Sequence, residues 1–236
     1  MPDFSSRTLL PEKMDGPGVP EKEIRQALHE LEVINRLLGG YRVIFDALRQ
    51  LEWTDKPVTI MDLGCGGGDM LRAIAGWAYR KKRKVHLIGV DRNKMMTDYA
   101  SERSRLFPNI RFKTMDVFDP ELLKEKADIT MNSLFCHHFD NDQLVDLIRR
   151  MKELSSRAVI INDIDRHWFA YHSIKWITAL FSKTYLVKYD GPLSVARSLN
   201  RKEWETILQR AGATSYKLRW MWAWRWQIII QNSGHA

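Results

Sequence analysis

From Pro20 onward, apolar residues recur at helical spacing. Ile24, Leu28, Leu31, Ile34, Leu37 and Leu38 share one face, which predicts an amphipathic helix. Gly39-Gly40 ends it, and residues 41–51 predict a second short helix. The texture then changes to alternating strand and helix. Val58-Thr59-Ile60-Met61 reads as a short buried strand, followed by a glycine turn and a helix to about Tyr79. Residues 85–90 and 110–115 read as the next two strands, separated by a helix over about Asn93–Arg105. Residues 127–132 and 158–162 read as strands four and five, bracketing a helix over 141–154. Asp140 and Gln143 have capping-box spacing at the start of that helix.

An aromatic-rich helical stretch lies between Arg166 and Leu186, outside what the alternation requires. Asn200 and Glu203 form a second capping box, opening a helix that stops before Gly212. Thr214–Trp220 and Trp224–Gln231 close the chain as a hairpin. Repeated β-α units predict an α/β fold, a parallel sheet with helices on both faces, to which the hairpin adds one antiparallel strand. Residues 1–52 are expected to form a tail and a helical lid. Residues 53–236 are expected to form the α/β domain, with a helical lid insertion at about 165–198.

Composition narrows this little. The chain has 236 residues, 44% hydrophobic and 28% charged, as globular proteins do. No apolar run is long enough to span a bilayer, and the first residues lack a secretory pattern. Cys65 and Cys136 form no C-x-x-C pair, which points away from a disulfide scaffold and toward the cytoplasm. The net charge of +8 raises nucleic acid or an anionic surface as partners. Its densest run, Arg80 to Lys84, falls where a helix should end, and a solvated turn explains it.

The chemistry concentrates after strand one, in Asp62-Leu63-Gly64-Cys65-Gly66-Gly67-Gly68-Asp69. Glycines at a strand-to-helix turn let the backbone approach a ligand. Dinucleotide enzymes use G-x-G-x-x-G for a pyrophosphate, whereas Gly64, Gly66 and Gly68 are spaced G-x-G-x-G behind an acid. A carboxylate at Asp62 repels pyrophosphate and suits the ammonium of an amino-acid-like ligand. Asp91 ends strand two, where a carboxylate accepts ribose hydroxyls. Asp116-Val117 after strand three is placed for an adenine, and Asn132 ends strand four. Together these positions line the crevice at the carboxyl ends of the strands.

This series resembles the class I S-adenosylmethionine-dependent methyltransferases over about residues 55–231, and within them the quinone-biosynthesis and small-molecule ring methyltransferases. The pointers to that subgroup are Leu134 to Phe139, Asn162-Asp163, Arg225-Trp226-Gln227 and the lid-like Leu31 to Gly40. The resemblance implies a Rossmann-like seven-stranded sheet with an antiparallel last strand and S-adenosyl-L-methionine as cofactor. It also implies cofactor contacts from Asp62, Gly64, Gly66, Asp91, Asp116 and Asn132, with Cys65, Arg92 and Val117 beside them.

Methyl transfer to a phenol or similar acceptor needs a base, while other acceptors need only positioning. His137 and His138 follow strand four, where the acceptor should lie; they serve transfer or merely pack. Asp163 and His167 are further base candidates, with helix capping as the alternative. Trp168 to Phe181 reads as a lid over a flat apolar acceptor, a core helix or a peripheral membrane contact. Trp220, Trp222, Trp224 and Trp226 recur at period two, as one packed face of a hairpin. Arg197 could meet an acidic acceptor or lie on the surface. No metal-ligand spacing is evident, so no metal is expected. The expected acceptor is a small aromatic, polyketide-like or quinone-like molecule, methylated on oxygen or carbon. An RNA methyltransferase and a non-catalytic binding protein are the alternatives; the absence of an N-P-P-Y type signature and of an RNA-binding module disfavours nucleic acid.

Overall fold

The computed structural model describes residues 4–232. Its strands are β1 (Val58–Leu63), β2 (Val85–Asp91), β3 (Ile110–Thr114), β4 (Ala127–Ser133), β5 (Ser155–Ile164), β6 (Tyr216–Met221) and β7 (Arg225–Gln231). The helices are α1 (Glu21–Leu37), α2 (Gly40–Gln50), α3 (Asp69–Arg80), α4 (Lys94–Arg103), α5 (Asn141–Leu154), α6 (Trp168–Phe181), α7 (Tyr185–Arg197) and α8 (Arg201–Arg210). The strands form one sheet in the order β3-β2-β1-β4-β5-β7-β6. β1 to β5 run parallel, and β7 inserts antiparallel between β5 and β6. The expected Rossmann-like sheet, antiparallel strand included, is present.

Both sheet faces are covered, which is why the central strands are almost continuously apolar. Ile44 and Leu48 of α2 and Leu71 and Ile74 of α3 pack against Ile60, Ile160 and Ile229 on one face. Leu144 and Ile148 of α5 and Trp204 of α8 pack against Ile161 and Ile228 on the other. Both predicted capping boxes form, at Asp140 and Asn200.

The structure differs from the sequence reading in three places. α2 belongs to a covering layer of the sheet, so a lid boundary at residue 52 cuts through the core; of the two N-terminal helices only α1 lies over the crevice. The insertion after β5 holds two helices, because α7 continues through Pro192. The tryptophans do not share one packed face. Trp220 pairs with Trp226 across β6 and β7, Trp226 is buried, and Trp222 sits exposed in the turn.

Candidate active site

Chain order reverses between β1 and β4, which opens a crevice at the carboxyl ends of these strands. α1, α6, α7 and the extended arm before α1 roof it, leaving a cavity of about 340 Å³. That volume is in the range of small-molecule sites. Eight carboxylates line it (Glu12, Asp15, Glu32, Asp62, Asp69, Asp91, Asp116 and Asp190) against two arginines, Arg92 and Arg225. The positive balance of the chain is therefore absent from its pocket. The Arg80–Lys84 run lies exposed after α3, as a solvated turn.

At one end of the cavity, Gly64, Gly66 and Gly68 all take positive φ, of 73°, 49° and 69°. A side chain at Gly64 would also strike the ring of Phe135 at 2.2 Å, whereas the nearest atom facing Gly66 is 3.8 Å away. The space above Gly66 is open to a ligand. Asp91 braces the turn: Gly66 N donates to its Oδ2 and Asn93 N to its Oδ1, each at 2.9 Å. Asp62 is buried, and its Oδ1 has no hydrogen-bond partner. Burial, with Asp69 and Asp91 nearby, pushes its carboxyl well above the usual range. Burial likewise raises Asp91. An orphaned buried carboxylate beside an open glycine cradle is suited to a cationic ligand. These residues fit S-adenosylmethionine: Asp62 would take its ammonium, Asp91 its ribose and Asp116-Val117 its adenine.

Asp69 anchors the roof. Tyr41 Oη donates to Asp69 Oδ2 at 3.0 Å and Asn35 Nδ2 at 3.3 Å. Arg72 ties α1 to the same turn, donating to Glu32 at 3.0 Å and to Gly67 O at 2.7 Å.

At the other end, a 3-10 turn at Cys136–His138 carries the two histidines. His137 is buried, with Nδ1 2.7 Å from Asp163 Oδ1, and its backbone N donates to Asp163 Oδ2 at 3.0 Å. His138 Nδ1 lies 2.8 Å from Asp15 Oδ2. Glu12 faces both rings, 3.5 Å from His137 Nε2 and 3.7 Å from His138 Nε2. Burial opposes charge on His137, but Asp163 and then Glu12 outweigh it and push its pKa up to about 10. Burial likewise opposes charge on Glu12, yet the two histidines hold its carboxyl below the usual range. The arm is fixed by side chains from α7: Lys13 N and Met14 N donate to Asp190 at 2.8 and 2.9 Å.

Of the residues expected at the site, the structure brings together Asp62, Gly64, Cys65, Gly66, Asp91, Arg92, Asp116, Val117, His137 and His138 on the cavity wall. Asn132 is not among them. Asp62 lies beside Met131, so the next residue of β4 faces the opposite side of the sheet. There Asn132 Nδ2 donates to Cys136 Sγ and Met151 Sδ. His167 is also outside the wall and caps α6, accepting from Phe169 N. Asp163 is fully buried behind His137 and orients that ring, so it is not placed to take a proton from an acceptor. Arg197 is buried and donates to the carbonyls of His137, His138 and Leu10. Sequence reasoning missed Glu12, Asp15 and Asp190, and named Arg225 only as a pointer to the subgroup, without a role in the site. Arg225 is buried on the wall, with Nε and Nη1 unpartnered, and burial lowers its pKa to about 10. One face of α6, with Ile174 and Ile177, lines the cavity, while Trp176, Leu180 and Phe181 are exposed on the other.

Residues 60–157 match the methyltransferase-domain family. Human N-acetylserotonin methyltransferase, solved with S-adenosylmethionine, is similar at 14% identity and a TM-score of 0.65, over 90% of this chain and 56% of that one. An O-methyltransferase family protein from Burkholderia thailandensis is similar at 17% identity and a TM-score of 0.61, over 89% of this chain and 60% of that one. Magnesium protoporphyrin IX methyltransferase from Synechocystis, with bound S-adenosylhomocysteine, gives 16% identity and a TM-score of 0.51 over 94% and 91%. The chain spans 50–60% of the length of the first structures it matches. No curated protein matches it in sequence. The fold is that of the class I S-adenosylmethionine-dependent methyltransferases, and residues 60–157 within it match a methyltransferase domain. Among the described residues, no helix is long and apolar enough to cross a membrane.

Proposed function

We propose that this protein transfers the methyl group of S-adenosylmethionine to an oxygen or carbon of a small, largely apolar acceptor, aromatic, polyketide-like or quinone-like. The carrying observation is a single cavity that runs from the glycine turn to a chamber walled by α1, α6 and α7, with Glu12, His137 and His138 on its wall. An acid-lined, roofed chamber disfavours a polyanion and suits a neutral or weakly acidic ring. Structural neighbours include a carbon methyltransferase domain of the citrinin polyketide synthase as well as the N-acetylserotonin enzyme.

The bound cofactor supplies an electrophilic methyl on a cationic sulfur. The protein's work is to hold the acceptor in line, exclude water and take up a proton where the acceptor carries one. Asp163 and Glu12 keep a proton on His137 at neutral pH, so that ring orients and donates. Glu12 and His138 are the groups facing the chamber that can accept an acceptor's proton. The test is a screen of phenols, quinols and RNA with methyl-labelled S-adenosylmethionine. Label in a phenol or quinol is expected; label confined to RNA, or in no acceptor at all, would overturn the reading.

A further inference from the structure

The two histidines present the same local pattern. Each Nδ1 lies at hydrogen-bond distance from a carboxylate, Asp163 for His137 and Asp15 for His138, at 2.7 and 2.8 Å. A carboxylate on Nδ1 takes the N–H there and leaves the lone pair of a neutral ring on Nε2. Both Nε2 atoms then converge on one carboxylate, at 3.5 Å from Glu12 Oε1 and 3.7 Å from Glu12 Oε2. If both rings are neutral, two lone pairs and an anion face one another, so positive charge must lie between them, either a second proton on His137 or a bound cation.

The spacing indicates which charge. Charge-assisted N–H to carboxylate bonds run about 2.7–2.9 Å, shorter than either separation. Two ligands on one tetrahedral ion with bonds of about 2.0–2.1 Å stand roughly 3.3 Å apart, close to both. One ligand atom from each of Glu12, His137 and His138 fits within 4.8 Å of the others. Ser194 Oγ donates to Glu12 Oε1 at 2.7 Å and fixes its orientation. Arg7 and Arg197 spend donors on the carbonyl of His137, at 3.2 and 3.0 Å.

We propose that Glu12, His137 and His138 form a three-ligand site for one divalent transition-metal ion of the zinc type, with Asp163 and Asp15 as the carboxylates behind the imidazoles. Imidazole donors select zinc, cobalt or nickel over magnesium and calcium, which prefer all-oxygen shells. All three ligands line the cavity, so a remaining coordination position faces the acceptor. An ion there takes the place of the proton otherwise held on His137. It would bind an acceptor hydroxyl or enol oxygen and lower its pKa. That consequence rests on the methyltransferase reading; the metal site itself does not.

Metal-stripped protein titrated with cobalt(II) tests the site without any turnover. The expected result is one equivalent bound, with visible absorption of tetrahedral intensity, abolished by zinc and unaffected by magnesium. Zinc should also raise Tm. Glu12→Gln and His138→Gln should each weaken cobalt binding at least tenfold, with adenosylhomocysteine affinity held within a few-fold. A wild-type protein that gives no cobalt spectrum and no thermal shift with zinc overturns the site, whatever the variants do. So does a spectrum that survives unchanged in both folded variants. Failure to bind adenosylhomocysteine would instead count against the methyltransferase reading and leave the metal result standing.

Discussion

The two ends of the cavity are built in different ways. The proposed cofactor end comes from short-range sequence: Asp62, the glycine turn and Asp91 sit at successive strand ends, and Asp91 reaches back only to Gly66. The proposed acceptor end is assembled from distant pieces. The arm brings Glu12 and Asp15, β4 leads to the histidines, β5 gives Asp163, α7 gives Asp190 and β7 gives Arg225. One end is a turn that any chain with this motif can form. The other exists only once the arm has docked. If the two are separable, substitutions at one should leave the other nearly untouched.

The largest effect is expected from Glu12→Gln. It keeps shape and the Ser194 contact but removes the charge that both histidines face. General acid-base groups contribute roughly 10²–10⁴-fold, so turnover should fall by that order on a phenolic acceptor. Adenosylhomocysteine affinity, read by calorimetry, should stay within a few-fold. A matching loss of cofactor affinity would show that the two ends are one unit.

The reverse case is Asp91→Ala. A charged hydrogen-bonded contact contributes about 1.5–3 kcal/mol, or roughly ten- to over a hundredfold in affinity. The substitution also strips Gly66 N of its acceptor, so the turn itself loosens. Adenosylhomocysteine binding should drop by that factor while circular dichroism remains that of the folded protein. Unchanged affinity would remove Asp91 from the cofactor site.

Both ends hold a buried charge without a partner, and this gives a smaller effect that separates them again. The folded-state pKa of Asp62 is raised, so its ionised form opposes folding. The cost is absent below the ordinary carboxylate range, grows as pH rises from there towards the raised folded value, and is constant above it. Asp62→Asn should therefore stabilise the ligand-free protein at neutral pH, lose that advantage below about pH 4, and weaken cofactor binding. Arg225→Met should also raise Tm, by about 2–4 °C for each kcal/mol recovered, with cofactor affinity intact. Thermal melts at pH 4 and 7, with and without adenosylhomocysteine, decide both. A destabilised Arg225→Met protein would mean that the guanidinium has an internal role.

The contrast also explains what the sequence could disclose. The strand–helix alternation, both capping boxes and the glycine turn are local patterns, and all are where the sequence predicts them. Asn132 was misplaced by one residue of strand period: it resembles Asp62 and Asp91 at a strand end, yet register turns it to the α5 layer. The insertion at about 165–198 was expected to be helical but not to divide in two, and its second helix, α7, runs through Gly191-Pro192. Burial of Leu186, Val187 and Val195 carries the helix through it. Glu12 could not be assigned at all, since its partners lie 125 and 126 residues away and nothing near it in sequence marks a ligand.

The smallest expected effect tests whether the roof moves as one piece. α1 is pinned to the cofactor end through Asn35, Tyr41 of the following helix and the Glu32–Arg72 pair, with Arg72 at 3.0 Å from Glu32. Among the described residues α6 has no side-chain hydrogen bond to the glycine turn; its inner face lines the chamber and its outer aromatic face meets solvent. Amide exchange follows local opening, and closure over a ligand should suppress it. Adenosylhomocysteine alone should slow exchange in residues 21–37 by a few-fold and leave residues 168–181 nearly unchanged. Adding an acceptor identified by the label screen should then slow 168–181. If the cofactor product alone protects both helices equally, the roof closes as one lid and the division between the two ends fails. If neither helix responds to either ligand, α1 and α6 are fixed walls, and the acceptor must enter past the arm.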